Sequence, residues 1–354
     1  MTRLETRLIA RIAAAGPMTI AEYMAECLGD PEHGYYTTRD PLGRQGDFTT
    51  APEISQMFGE LLGLCLAQAW LDQGAPRPFI LSELGPGRGT LMADLLRATR
   101  TVPGFHEALS LHLVEGSPKL RTVQTKTIPH PAKHHDSIAT VPDGPLFLIA
   151  NEFFDALPIR QFQRDGAIWR ERIVGLENGA LAVGLSDPMP PEHLADRLDD
   201  TEDGQIVEIS PGTEAIAATL GARISHQGGV ALVIDYGDWR SRGDTFQAIS
   251  KHQKVSPLSH PGDADLTAHV DFEALAKAAR PALASKLIPQ GVLLERLGIT
   301  PRANALAQKL SGPALSSHIA AHRRLTHPDE MGTLFKAIAL YQPGTPCPPG
   351  FDPE

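Results

Sequence analysis

Glu83 stands two residues before the first of three glycines, Gly85, Gly87 and Gly89, in the stretch FILSELGPGRGT at 79–90. Glycines let a backbone approach a ligand with no Cβ in the way and turn where other residues are strained. The dinucleotide fingerprint is G-x-G-x-x-G and grips a pyrophosphate, whereas the spacing here is G-x-G-x-G and Glu83 would repel that group. A carboxylate in this position suits a ligand with an ammonium group, such as S-adenosylmethionine. The same residues also read as a plain strand–turn–helix with structural glycines. A second acid, Glu115, closes the apolar run 111–114 one βαβ unit further on, where a carboxylate can take both hydroxyls of a ribose. Its other reading is a surface acid at the start of a loop. A third group, Asn151, Glu152 and Asp155, follows the wholly apolar LFLIA at 146–150. In open α/β sheets ligands bind beyond the carboxyl ends of the strands. Asn151 and Asp155 as mere turn formers is the alternative.

These residues need a sheet to carry them. From residue 76 the chain alternates short apolar runs with helical segments, the pattern of a parallel sheet covered by helices. Strands are expected at 79–83, 111–114, 131–136, 146–150, 229–236, 286–289 and 333–340, with helices over 90–100, 212–221, 270–280 and twice between 291 and 324. Residues 159–228 break the alternation. Asp165-Gly166 and Asn178-Gly179 are hairpin signals between β-type runs, so an antiparallel insertion is expected between the fourth and fifth strands, as a platform for substrate docking. Residues 1–75 read as a helical region: Thr19 caps a helix through Cys27 with Glu22 completing a capping box, and a second helix runs from Pro52. Between them, 29–53 is too rich in Gly, Pro and Asp for a regular element, and its aromatic residues suit a lid over a site. The tail, 342–354, carries five prolines and reads as irregular. The division is therefore 1–75, 76–341 with the insertion, and 342–354.

Composition narrows the partners. With 354 residues, 42% hydrophobic and 21% charged, the chain is an ordinary globular protein. A net charge of −10 disfavours nucleic acid, whose phosphates need basic surface. No apolar run is long enough for a membrane span. Cys27, Cys65 and Cys347 form no C-x-x-C pair, so no zinc site or disulfide framework is indicated and a reducing compartment is expected. The histidines between 252 and 269 lack metal-ligand spacing, and no metal is expected. Arg3, Arg7 and Arg11 share one helical face near the amino terminus, yet Glu5 and the lack of serines favour a first helix over a transit peptide.

The chain resembles the MidA-like family of class I S-adenosylmethionine-dependent methyltransferases. The matching stretches are GYYTTRDPLGRQGDFTTAPEISQMFGE (34–60), ELGPGRGT (83–90), LIANEFFDALP (148–158), VIDYG (233–237), PGDADLTAHVDF (261–272) and MGTLFKAIAL (331–340). The resemblance implies a Rossmann-like, seven-stranded, mostly parallel sheet, S-adenosyl-L-methionine as methyl donor, and a protein arginine as acceptor. Its mitochondrial members imply a role in complex I assembly, with the 49 kDa-type subunit of NADH dehydrogenase as substrate. The location implied is the bacterial cytoplasm, or the mitochondrial matrix for eukaryotic members; a homodimer stays open. On this basis Glu83, Gly85, Gly87, Gly89 and Asn151 would meet the methionine end of the cofactor, Glu115 its ribose, and Asp136 with Ser137 its adenine. Glu152 and Asp155, with Asn151, would neutralise and aim a guanidinium. Asp47, Phe48, Thr49, Thr50, Glu53, Tyr35 and Tyr36 would close the lid. Two positions depart from the family pattern: His134 replaces an expected tryptophan, and Pro289 an expected threonine. A methyltransferase acting on an amide or amino group, and a non-catalytic assembly chaperone on the same fold, are the other readings.

Overall fold

The computed structural model describes residues 2–38, 50–190, 194–250 and 253–354. The main sheet is built from β1 (Phe79–Leu84), β2 (Leu109–Val114), β3 (Ala132–His135), β4 (Leu146–Asn151), β5 (Gly229–Asp238), β6 in two pieces (Leu283–Ala284 and Ile288–Pro289), and β7 (Phe335–Tyr341). Their order is β3-β2-β1-β4-β5-β7-β6. The first five are mutually parallel; β7 is antiparallel to β5, and both pieces of β6 are antiparallel to β7. With Val270–Asp271 added to β5, nine hydrogen-bonded segments make up the sheet where seven strands are expected. The broken edge accounts for one addition and this short bridge for the other.

β4 is buried along its whole length because both of its faces are covered. Successive side chains alternate faces. Phe147 and Ile149 join the core shared with helices Gln56–Asp72 and Thr90–Ala98, whereas Leu146, Leu148 and Ala150 join the one shared with Pro211–Gln227 and Phe272–Ala278. Trp70, Phe79, Phe105 and Phe147 pack with ring centroids 4.9–5.5 Å apart.

The amino-terminal helices start as the capping rules require. Thr2 with Glu5 and Thr19 with Glu22 each form a reciprocal capping box, at Arg3–Ala15 and Ile20–Gly29. Arg7 and Arg11 bind Glu22, Glu26 and Asp30, so the basic face of the first helix docks on the second. The helix expected from Pro52 is two: Ala51–Ile54, then Gln56–Asp72, because Ser55 is extended (φ −157°) and caps the second. Inside the expected lid, Tyr35–Thr38 is one helical turn. Asp47, Phe48 and Thr49, expected in this lid, lie outside the described residues.

The insertion is antiparallel. Arg160–Asp165, Ile168–Glu177, Ala180–Met189 and Ile206–Ile209 pair with Met18–Thr19 in one sheet. Asn178 (φ 51°) and Gly179 (φ 81°) make the turn between the second and third of these strands. The helix expected at 270–280 is Phe272–Ala278, and three helices, Gln290–Arg296, Ile299–Ala307 and Gly312–Thr326, stand where two are expected. Pro289 precedes the first of these and supplies no side-chain cap. The tail is irregular but anchored, with Phe351 buried and Pro353 bridged to Ser285.

One buried ion cluster ties three of these helices together. Glu60 accepts from Arg97 at 2.9 Å and from two nitrogens of Arg302 at 2.8 and 3.0 Å. Against the cost of burial, those guanidiniums hold its carboxyl below the usual range. Glu60→Ala is expected to destabilise the protein by about 1 kcal/mol at pH 7, since two half-exposed arginines lose their shared partner but stay in reach of water. The folded carboxyl titrates below the unfolded one, so its contribution is present at neutral pH and fades in acid. Urea unfolding at pH 7 and pH 4 should show the difference between variant and parent narrowing.

Candidate active site

β1, β4 and β5 end side by side, and their last residues form the site. After β1 the chain turns through Gly85 (φ 60°), Gly87 (φ 52°) and Gly89 (φ 82°), all in the left-handed region. At Gly85 a Cβ would also fall 2.9 Å from the Phe153 ring, so the glycine is required twice over. Thr90 opens the next helix, and its hydroxyl donates to Glu53 Oε1 at 2.5 Å.

After β4 the turn 152–155 is held by Asp235 of β5. Its Oδ2 accepts the backbone N–H groups of Phe153, Phe154 and Asp155 at 3.1, 2.9 and 3.2 Å, and its Oδ1 accepts Tyr236 N–H at 2.9 Å. Glu152 sits in the turn at φ 51°, unusual for a side chain of its size. Its Oε1 accepts both Ala51 N–H (3.0 Å) and Asn151 Nδ2 (3.1 Å). The Tyr236 hydroxyl lies near Asp155 and favours its charged form. Phe153 covers the glycine turn, and Phe154 faces a cleft shared with Ile159, Ser210, Thr213 and His269.

Burial dominates the electrostatics. It pushes Glu83 up to about 8, helped by the charge of Glu115. It pushes Glu152 up to about 7, opposed by Ala51 N–H, and Asp155 up to about 6, opposed by the Tyr236 hydroxyl. Asp235 is raised by burial and by the Asp155 and Glu152 charges, against the pull of its backbone donors. Glu115 is raised by burial and held back by Ser117 N–H and the Gln124 amide.

The residues expected on the cofactor side fall in two places. Glu83, the three glycines, Asn151 and Glu115 lie at neighbouring strand ends. Asp136 is 86% exposed and paired with Arg121, and Ser137 caps the turn Ile138–Thr140. On the lid side, Tyr36 donates to Asp265 at 2.8 Å, Tyr35 packs edge-on against it, and Thr50 O accepts Glu53 N–H at 3.0 Å. The turn-holding role of Asp235 and the contacts of Tyr236 and Asp265 went unassigned in the sequence reading. The only signals were the acid and the aromatic that end β5, and an acid within PGDADLTAHVDF. Gln124, described below, has no signal at all.

Glu83 Oε2 and Asn151 Oδ1 are buried with no hydrogen-bond partner among the described residues. Two orphaned acceptors at adjacent strand ends call for a donor with several N–H groups, and an amino-acid ammonium supplies three. The donor set therefore fits S-adenosyl-L-methionine. The family model of S-adenosyl-L-methionine-dependent methyltransferases matches residues 61–289. The chain belongs to this methyltransferase family. Among its relatives, the protein arginine methyltransferase NDUFAF7 of Homo sapiens, mitochondrial, is 36% identical over 96% of this chain and 83% of its own length. The Drosophila melanogaster homolog is also 36% identical, over 96% and 84%. A Burkholderia thailandensis protein solved bound to S-adenosyl-homocysteine superposes with a TM-score of 0.82 at 26% identity, covering 98% of this chain and 93% of that one. S-adenosyl-L-methionine is thus the cofactor of this methyltransferase.

No helix of the methyltransferase is long and apolar enough to cross a membrane, among the described residues. Two outcomes follow from the geometry of the strand ends. Asp235→Ala orphans four backbone N–H groups and should destabilise the methyltransferase by roughly 3 kcal/mol in chemical unfolding. Folded Glu83 holds its proton up to about 8, against an ordinary value of 4.5. The folded state therefore binds the proton that the unfolded state releases between those values, and stability falls as pH rises through that window. Glu83→Gln removes the decline: thermal melts at pH 8 without cofactor should show the variant above the parent, with weaker S-adenosylhomocysteine binding.

Proposed function

We propose that this methyltransferase modifies an arginine side chain of a protein. The observation that carries the reading is the crowding of Glu152, Asp155 and Asp235, the two aspartates buried and Glu152 half-buried, with no guanidinium or ammonium bonded to Glu152 or Asp155 among the described residues. Such a set is incomplete until a cation enters, and a guanidinium matches carboxylates in both charge and geometry. The names of the relatives agree in the acceptor they print. By the resemblance set out above, the acceptor is the 49 kDa-type subunit of NADH dehydrogenase and the consequence is complex I assembly. Three free cysteines suit a reducing compartment, the cytoplasm of a bacterium or the matrix of a mitochondrion. We read 76–341 as the catalytic unit, 1–75 as its lid-bearing helical region, and the insertion as the platform for the protein acceptor.

S-adenosyl-L-methionine supplies a methyl group on a sulfonium. The chain positions the partners and manages their charge. Glu83 Oε2 and Asn151 Oδ1 accept from the ammonium, and Glu115 holds the ribose hydroxyls. Glu152 Oε1 is fully engaged by Ala51 and Asn151, which leaves Oε2 to hold a guanidinium N–H and take its proton. Asp155, steadied by Tyr236, pairs with the same guanidinium from the other side. Tyr35, Tyr36, Thr50 and Glu53 close the site at the amino-terminal edge.

Glu152→Gln keeps an oxygen for Ala51 and Asn151 but removes the charge and replaces the acceptor Oε2 with an amide donor. Calorimetry should find S-adenosylhomocysteine bound as in the parent, while mass spectrometry of the incubated acceptor subunit should find arginine methylation lowered by about 100-fold or more. Unchanged methylation in that variant would remove Glu152 from the reaction. In the parent, kcat/KM for the acceptor should rise with pH between about 6 and 7, as Asp155 and then Glu152 lose protons.

A further inference from the structure

Gln124 lies fully buried in the helix Pro118–Thr127. Its Nε2 donates to the carbonyl of Gly87 at 2.7 Å and to Glu115 Oε2 at 3.1 Å. Its Oε1 lies 2.9 Å from His134 Nε2. An amide has one donor end and one acceptor end, so a hydrogen bond at Oε1 dictates where Nε2 points. Since Oε1 only accepts, His134 carries its hydrogen on Nε2. The other Glu115 oxygen accepts Ser117 N–H at 2.8 Å. Both carboxylate oxygens of Glu115 are thereby pinned.

We infer that His134 and Gln124 are positioning residues for the cofactor: His134 orients the Gln124 amide, which in turn aims the Glu115 carboxylate and anchors the Gly87 carbonyl of the glycine turn. The relay joins the ribose end of the cofactor site to the methionine end, and it gives a task to the histidine at this departure from the family pattern. The inference rests on the ribose-binding role of Glu115 stated under the proposed function. His134 acts through Gln124, and neither side chain needs to touch the cofactor.

The test is calorimetric titration of the full chain with S-adenosylhomocysteine. His134→Ala should weaken binding about tenfold, the size expected when a buried amide loses its orienting partner. His134→Gln restores an N–H donor and should bind within about threefold of the parent. Gln124→Leu should weaken binding at least as much as His134→Ala, and adding His134→Ala to it should cost nothing further, because the relay is already cut. Apo thermal melts identify any variant that has lost its fold; His134 is half-exposed, so its two variants carry the test if Gln124→Leu unfolds. Unchanged affinity in His134→Ala, or failure of His134→Gln to recover it, would overturn the relay. Glu115→Gln separates the two levels: parent-like binding there would remove the role of Glu115 and the relay with it, whereas weak binding there beside an unaffected His134→Ala would overturn the relay alone.

Discussion

A single buried carboxylate holds the catalytic end of the sheet in shape. Asp235 accepts the N–H groups of three consecutive residues from the turn after β4, and a fourth from its own neighbour. That grip stabilises a backbone in which Glu152 adopts the left-handed region, a conformation that ordinary side chains avoid. Without it, Phe153, Phe154 and Asp155 would have no common reason to fan out as they do. Phe153 seals the glycine turn, Phe154 faces the cleft beside the insertion, and Asp155 meets Tyr236. One acid of β5 thus organises the turn between the glycine loop and the cleft beside the insertion.

The same arrangement gathers carboxyl groups where burial makes their charged forms costly. Burial raises Glu83, Glu152, Asp155 and Asp235 together. Two buried acids elsewhere in the chain are matched by charge: Glu60 has two arginines, and Glu171 has Arg160; Glu208 is held by Gln161 and Thr245 alone among the described residues. The contrast is physical. Glu60 and Glu171 have guanidinium partners, whereas Glu83 Oε2 and Asn151 Oδ1 have no hydrogen-bond partner among the described residues. The unliganded site is strained electrostatically, and a cationic ligand relieves that strain.

The amino-terminal region is stitched into this site. Ala51 N–H caps the Glu152 carboxylate, and Glu53 accepts from Thr90 at the head of the helix after the glycine turn. Residues 50–53 therefore touch both the acceptor-side turn and the cofactor-side turn. Tyr36 and Asp265 join the helical region to the segment after β5, and Met18–Thr19 adds a strand to the insertion. A region that looks like a separate helical appendage along the chain serves as one wall of the site.

Much of this was legible along the chain. Glycines at 85, 87 and 89 announce a turn because only glycine takes left-handed φ without cost, and acids after apolar runs announce strand ends at which ligands bind. Capping boxes at Thr2 and Thr19 and the Asn178-Gly179 turn are local chemistry, so local sequence carries them. The break at Ser55 and the split β6 escaped because apolar spacing alone does not register a single extended residue or an interrupted ladder. The rest belongs to the tertiary structure. The Glu152–Ala51 bond spans 101 residues, the Asp235 grip about 80, and the Gln124–Gly87 bond 37, and no periodicity encodes partners so far apart. The perturbed titration of the acids likewise depends on what surrounds them from every side. Burial and long-range hydrogen bonding are properties of the folded chain, and they turn a recognisable set of residues into a working site.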